Sequence, residues 1–151
     1  MTLELVQLTE SEFESYAQQV WESYRRELIK AGASEKAADE NISANKAATM
    51  PDGKLAEGNY IFNVIQNGVI VGVIWIAKHD AEWFIYDIEI YKSFRGNGLG
   101  RSAMKLIEEF VREQNGTELS LSVFGFNQVA QNLYLSEGYE IARIAMVKKL
   151  N

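Results

Sequence analysis

The sequence predicts an α/β (α+β) fold: a mixed, mostly antiparallel central sheet of about seven strands with about four helices. Three observations predict it. Asn67-Gly68 separates two apolar runs, Tyr60–Gln66 and Val69–Ala77, and this dipeptide suits the left-handed positions of a two-residue hairpin turn. A third run, Glu82–Ile90, returns after a short turn at 78–81 and extends the antiparallel series. A glycine-rich turn, a helical pattern and the alternating segment Leu119–Val123 then follow. A strand–helix–strand crossover of this kind requires its two strands to be parallel.

Each element has its own local cause. Leu3–Leu8 alternates loosely and reads as a first strand. Thr9-Glu10-Ser11-Glu12 is a capping box, in which the threonine hydroxyl and the glutamate three residues on satisfy each other's backbone donors. Phe13, Tyr16, Ala17, Val20, Trp21, Tyr24 and Leu28 then recur at three- and four-residue spacing, the stripe of a long amphipathic helix. Gly32 ends it, and Ser34 caps a second helix from Glu35 to about Thr49, polar and alanine-rich, with little to bury. Such a weakly anchored helix is either a plain surface element or the border of a substrate opening. Pro51-Asp52-Gly53 turns the chain. Val69–Ala77 is apolar on both faces and is therefore central. The helix after the glycine turn carries Met104, Ile107, Phe110 and Val111 on one face and stops at Asn115-Gly116. A shorter helix, Asn127–Ser136, turns Ala130, Leu133 and Tyr134 inward and ends at Gly138. Glu140–Leu150 closes the chain as strand material in two pieces that bend near Ala145. No linker or repeat interrupts 1–151, which reads as a single domain.

Composition narrows the function. The chain has 151 residues, no cysteine and one histidine, His79. Thiolate metal sites, disulfides and a cysteine nucleophile are excluded, and a Ser-His-Asp triad is disfavoured. No metal is expected. The formal charge of −6 argues against a nucleic-acid partner, which needs a basic footprint; it is compatible with a cationic small substrate, but an ordinary acidic surface is the commoner cause of such a charge. Met1-Thr2-Leu3-Glu4 carries no basic region followed by an apolar stretch, and no run is long enough to span a bilayer. The expectation is a cytoplasmic protein without a membrane partner.

The chain is organised around Phe94-Arg95-Gly96-Asn97-Gly98-Leu99-Gly100-Arg101-Ser102. Glycines at alternate positions where a helix begins leave backbone N–H groups uncovered, a setting for phosphate oxygens. A nucleoside-triphosphate loop needs Lys-Ser/Thr after its last glycine, but Arg101-Ser102 follows Gly100. The dinucleotide fingerprint needs a glycine where Arg101 stands, and a parallel sheet. The remaining pattern is Arg95-x-x-Gly98-x-Gly100.

That pattern, with Asn127-x-x-Ala130-x-x-Leu133-Tyr134 and Glu137-Gly138-Tyr139 downstream, resembles the GCN5-related N-acetyltransferase (GNAT) superfamily. Phe84-Ile85-Tyr86-Asp87 and Val123-Phe124 resemble small bacterial members of unassigned substrate, and the element order fits across Leu3–Leu150. The resemblance implies an acetyl-CoA-dependent N-acetyltransferase acting on a primary amine of a small molecule or peptide, by direct attack in a ternary complex. It implies that the fourth and fifth strands splay apart. The N–H groups of Arg95, Gly96, Asn97, Gly98, Leu99 and Gly100, with Arg101 and Ser102, would wrap the pyrophosphate of coenzyme A. Backbone groups of Ile88, Glu89 and Ile90 would bond the pantetheine arm and polarise the thioester carbonyl. Asn127 would bond the cofactor, as well as suiting a helix N-cap. Tyr134 would protonate the leaving thiolate. Members often carry proline where this chain has Lys92, a change that removes no donor.

An alkylammonium must lose a proton before it attacks, so a base is required. Strand alternation puts Asp87, Glu89 and Tyr91 on one face and Ile88 and Ile90 on the other. Glu89, nearest the turn, is the first candidate, and Asp87 the second. The competing reading is that both bind the substrate cation or pair structurally. A different class, a non-catalytic CoA or acyl-CoA sensor on the same fold, shares every feature except the roles of Tyr134 and the carboxylates. Trp21, Tyr24, Tyr91 and Phe126 are candidates for an aromatic wall of the acceptor site, with core packing as the alternative for each. Many members of the family dimerise, so a homodimer is an expectation, although no segment of the sequence marks an interface.

Overall fold

A computed structural model describes residues 2–150. The chain runs β1 (Leu3–Gln7), α1 (Glu10–Lys30), α2 (Glu35–Thr49), β2 (Asn59–Gln66), β3 (Val69–His79), β4 (Glu82–Ile90), α3 (Leu99–Glu113), β5 (Leu119–Leu121) and α4 (Gln128–Ser136). The sheet order is β1-β2-β3-β4-β5. The first four strands pair antiparallel, and β4 pairs β5 in parallel.

The helices start where the sequence says they should. Thr9 Oγ1 accepts from the Glu12 N–H, and the Glu12 carboxylate accepts from the Thr9 N–H at 2.9 Å, closing the capping box of α1. Ser34 accepts from the Ala37 N–H to start α2. The α1 stripe and α2 cover one face of the sheet, around Trp21, Ile42, Ile61, Val73 and Trp75. The face of α3 bearing Met104 and Ile107 covers the other, against Val64, Ile74, Ile76 and Ile85. Although α2 is polar, it still buries Ala38, Ile42 and Thr49.

Three sequence expectations need correction. The sheet has five strands among the described residues, not about seven. Residues 140–150 form no strand, because alternation is a local property whereas a strand needs a partner backbone. The fifth strand ends at Leu121 instead of running on to Val123, and its pairing with β4 stops at the same residue.

A bulge in β4 decides what faces the site. Trp75 pairs with Asp87, but Ile76 pairs with Ile85, so Tyr86 is an extra residue. The bulge shifts the alternation by one, which lets Ile85 and Ile88 both pack against the α3 side. It also turns Tyr86 onto Trp75, with ring centroids 4.6 Å apart, and aims Asp87 at α1.

Candidate active site

Parallel pairing of β4 with β5 covers only Trp83↔Leu119, Phe84↔Ser120 and Ile85↔Leu121. Beyond Ile85 the two strands separate, and the β5-facing edge of β4 is open down to Ile90. The backbone groups on that edge follow from one hydrogen bond. The Tyr91 N–H donates to the Val71 carbonyl at 2.9 Å, so Tyr91 faces β3. Backbone groups alternate along a strand, so Glu89 also faces β3, while Ile88 and Ile90 present theirs to the gap. Ile88 is thus the residue whose N–H lies on the gap side, beside the Asp87 carboxylate, which accepts from it.

At the end of β4 a single 3-10 turn, Lys92–Phe94, leads into the glycine segment. Gly96 and Gly98 have φ of +85° and +73°, conformations that a side chain resists. No atom lies within 4 Å of where a Cβ would stand at either, so the segment presents bare backbone to open space. Gly98 is the N-cap of α3 and supplies no side-chain cap. The first-turn N–H groups, at Leu99, Gly100 and Arg101, therefore point outward, with the positive end of the helix dipole behind them. The Ser102 N–H is already spent on the Gly98 carbonyl.

The two arginines take structural partners. The Arg95 N–H donates to the Lys92 carbonyl, so it does not join the free donors. Arg95 Nε donates to the Ile90 carbonyl at 2.7 Å, and its guanidinium lies 3.7 Å from the Glu89 carboxylate. Arg101 pairs with Glu137, tying α3 to the end of α4. Asn97 donates to the Phe94 carbonyl and helps close the turn.

Two sequence-predicted residues come from α4. Asn127 caps the helix, its Oδ1 accepting from the Ala130 N–H at 3.1 Å. Its amide Nδ2 makes no hydrogen bond among the described residues. Tyr134 packs against the α3-side core, edge-on to Tyr139 at 6.0 Å. Burial raises its phenol above the ordinary value, and the charge of Asp87 raises it further. The candidate acid packs on the α3 side of the sheet, whereas Asp87 is aimed at α1.

The two carboxylates of β4 have different surroundings. Glu89 is exposed on half of its side chain and stands beside Arg95. Asp87 is largely enclosed. The Tyr16 hydroxyl donates to Asp87 Oδ2 at 2.6 Å. Burial pushes the Asp87 carboxyl up to about 6; the Tyr16 hydrogen bond pulls it down, and the charges of Glu89 and Glu27 push it up. The Glu27 carboxyl is itself raised, by burial and then by Glu89. Sequence reasoning placed Tyr16 in the apolar stripe and passed over Glu27. The available signal was that a buried phenol needs a polar partner, but only the fold shows that the partner is Asp87. A cleft of about 310 Å³ runs along the same end of the sheet, lined by Glu12, Ser15, Tyr16, Gln19, Asn63 and Tyr91 among others.

The profile of the acetyltransferase (GNAT) family matches residues 10–139. The chain belongs to the GNAT family.

Two relatives are N-acetyltransferases of Bacillus subtilis (strain 168), both uncharacterized. This GNAT chain is 31% identical to YdgE over 99% of each protein. It is 31% identical to YycN over 99% of its own length and 100% of the relative's. The crystal structure of YycN superposes with a TM-score of 0.88 at 29% identity, over 99% of both chains. The aminoglycoside acetyltransferase AAC(6')-Iy, solved with the bisubstrate analog CoA-S-monomethyl-acetylneamine, shares the fold at a TM-score of 0.59 and 14% identity. The splayed β4–β5 pair and the uncapped glycine turn of this GNAT chain lie within the matched residues.

Proposed function

We propose that the protein transfers the acetyl group of acetyl-CoA to a primary amine by direct attack in a ternary complex. The observation that carries this reading is the convergence of two elements at one end of the sheet: the strand edge of β4 that β5 leaves unpaired, and the uncapped start of α3. The residues fit coenzyme A. Backbone donors at Gly96, Asn97, Gly98, Leu99, Gly100 and Arg101 suit a pyrophosphate, and bare glycine backbone lets it approach. The gap-side edge of β4 at Ile88 and at the Ile90 N–H suits an amide-bearing arm that adds as a strand, the Ile90 carbonyl being held by Arg95. The amide Nδ2 of Asn127, whose Oδ1 caps α4, would supply a donor to the same arm. Acetyl-CoA, when bound, would supply an acetyl group activated as a thioester.

The protein's own groups do the rest. Asp87 is the base: its carboxyl, raised to about 6, is ionised at neutral pH yet strong enough as a base to take a proton from the acceptor nitrogen. Tyr16 holds that carboxylate in place. Glu27 and Glu89 surround the position with negative charge, which favours a cationic acceptor entering from the α1 side. The Ile88 N–H, which the Asp87 carboxylate shares, donates to the thioester carbonyl, where negative charge develops. Tyr134 gives its proton to the departing sulfur.

Thermal-shift titration with acetyl-CoA, followed by CoA release over a panel of polyamines, aminoglycosides, amino acids and peptide N-termini, tests the reading. The expected result is ligand-dependent stabilisation and turnover on at least one amine. Absence of stabilisation would overturn it, and stabilisation without turnover on any amine would favour a CoA sensor instead. Within the catalytic reading, Tyr134→Phe is expected to leave acetyl-CoA affinity unchanged while kcat falls about tenfold or more. An unchanged kcat would remove Tyr134 as the acid.

A further inference from the structure

We propose that the cleft between α1 and the β2–β3 pair is a second ligand site, separate from the cofactor gap, and that it takes a small aminoalkyl cation bearing a hydrogen-bonding group. The first observation is Asn63. It stands in β2, pairs with Val73, shares the face that Ile61 and Val73 turn toward α1, and is only 7% exposed. Among the described residues the other polar side chain buried to this degree is Thr49, and its hydroxyl donates to the Asn45 carbonyl. The Asn63 amide makes no hydrogen bond of normal geometry among the described residues. Its neighbour, the Glu12 carboxylate, already accepts from the Thr9 N–H; that bond is the main cause of its lowered pKa, and Asn63 the least. A buried amide left without a partner costs stability. Such a cost is typical of positions that serve binding rather than folding.

The second observation is the cleft onto which that amide opens. Its volume of about 310 Å³ is at the small end of ligand-binding pockets. Glu12, Ser15, Tyr16 and Gln19 line it from α1, at the three- and four-residue spacing of one helix face. Ser15 and Gln19 make no side-chain hydrogen bond among the described residues, so both are free at the rim. Val73 and Ile70 of β3 form an apolar floor, and Tyr91 closes the end beyond β4. The cofactor gap lies along the β5-facing edge of β4. The cleft lies on the other side of that strand, over β2 and β3.

Charge and shape identify the ligand class. Among the described residues Glu12 is the one charged side chain that lines the cleft. Negative charge reaches the far wall as well: burial raises the Tyr91 phenol, and the charges of Glu89, Asp87 and Glu12 raise it further. An anion is disfavoured there, and a cation carrying an N–H suits the Glu12 carboxylate. The Asn63 amide offers both donors and an acceptor, which suits a hydroxyl or amide on the same molecule. The apolar floor takes a short methylene chain. Tyr16 gives the site a consequence. Its ring lines the cleft, while its hydroxyl donates to Asp87 at 2.6 Å. A ligand packed on that ring therefore bears on the proposed base from the side away from the gap. This consequence rests on the proposed role of Asp87, whereas binding in the cleft does not.

Amide NMR of the full chain without acetyl-CoA tests the proposal, with dimethylethanolamine as the probe. This cation carries an N–H and a hydroxyl, and its tertiary nitrogen forms no stable amide. The expected result is a saturable shift of the Asn63 and Gln19 side-chain amide signals. Isoamyl alcohol, which has the same shape with carbon in place of the charged nitrogen, is expected to bind about tenfold more weakly. Isovalerate, an anion of similar shape, is expected to give no shift. Asn63→Leu is expected to abolish the Gln19 response. Because it removes an unpartnered amide, it is also expected to melt at an equal or higher temperature. A lower melting temperature would show that the amide is bonded within the fold and would overturn the proposal. So would the absence of a saturable shift, an equal response to isovalerate, or a response that survives Asn63→Leu. Asp87→Asn is expected to keep the response; its loss there would place the probe at the acceptor position and overturn the proposal as well. The probe acts without acetyl-CoA, so failure here and failure of the acetyltransferase reading are distinguishable.

Discussion

Replacing Asp87 with asparagine is expected to lower kcat by a factor of about 10² to 10⁴ with acetyl-CoA affinity retained. Asparagine keeps the shape and still accepts from the Tyr16 hydroxyl, but takes no proton. Burial raises the Asp87 carboxyl to about 6, so the ionised form is disfavoured in the folded chain. The stability Asp87 contributes is present at low pH and lost as pH rises through about 6. Asp87→Asn is therefore expected to leave the melting temperature at neutral pH unchanged or higher while activity collapses. A loss of activity that tracks a loss of stability would argue against a catalytic role.

The same geometry sets the pH profile. Activity is expected to fall as pH drops through about 6, where Asp87 takes up its proton. The groups facing that carboxylate are Tyr16 from α1 and Glu27, Glu89 and Tyr134 around it. Of these, Tyr16 favours the ionised form by donating a hydrogen bond to it. Tyr16→Phe removes that bond, so the acidic limb is expected to move to higher pH and the rate at pH 6 to drop on the order of tenfold. A limb that stays in place would show that Tyr16 is only a packing residue.

The second large effect is expected at Gly72. A Cβ built on this glycine in β3 would lie 2.3 Å from the Glu89 carbonyl oxygen and 3.2 Å from Ile90 Cα. These are backbone atoms, so the strands must part. Gly72→Ala is expected to cost about 3 kcal/mol and to lower the melting temperature by roughly 6–12 °C. It is also expected to weaken acetyl-CoA binding, because the atoms pushed away belong to the end of β4 that lines the gap. Gly100→Ala is the control for stability only, since Gly100 belongs to the glycine turn. Its Cβ would meet Leu133 at 3.5 Å, an ordinary contact, inside a helix where alanine is favoured. Calorimetry of the two variants with and without acetyl-CoA checks both. Equal stability would show that β3 and β4 yield without cost.

Much of the site was legible because its signals are local. Gly96 and Gly98 announce positive φ, Asn127 announces a cap, and the distance from turn to Tyr134 separates one phosphate device from another. Less legible was how the side chains share their partners. The Arg95 N–H was expected among the pyrophosphate donors, yet it is spent on the Lys92 carbonyl, while the Arg95 side chain closes the end of β4 and that of Arg101 holds α4. Glu89 looked the better base by its nearness to the turn, yet Asp87 is the carboxylate that α1 encloses. The Tyr86 bulge, which aims Asp87 at Tyr16, leaves no mark in a pattern of alternating residues.

The sequence by itself determined the hairpin at Asn67-Gly68, the capped helices, the crossover that makes β4 and β5 parallel, and the bare backbone of the glycine turn. These depend on φ preference, capping and periodicity, which act over a few neighbouring residues. Only the tertiary structure decided which carboxylate is the more enclosed, what each arginine engages, and that among the described residues 140–150 does not pair with the outer edge of β5. Those outcomes depend on what lies across a gap from residues far away in the chain, as Tyr16 lies across from Asp87, and neither local propensity nor spacing encodes that distance.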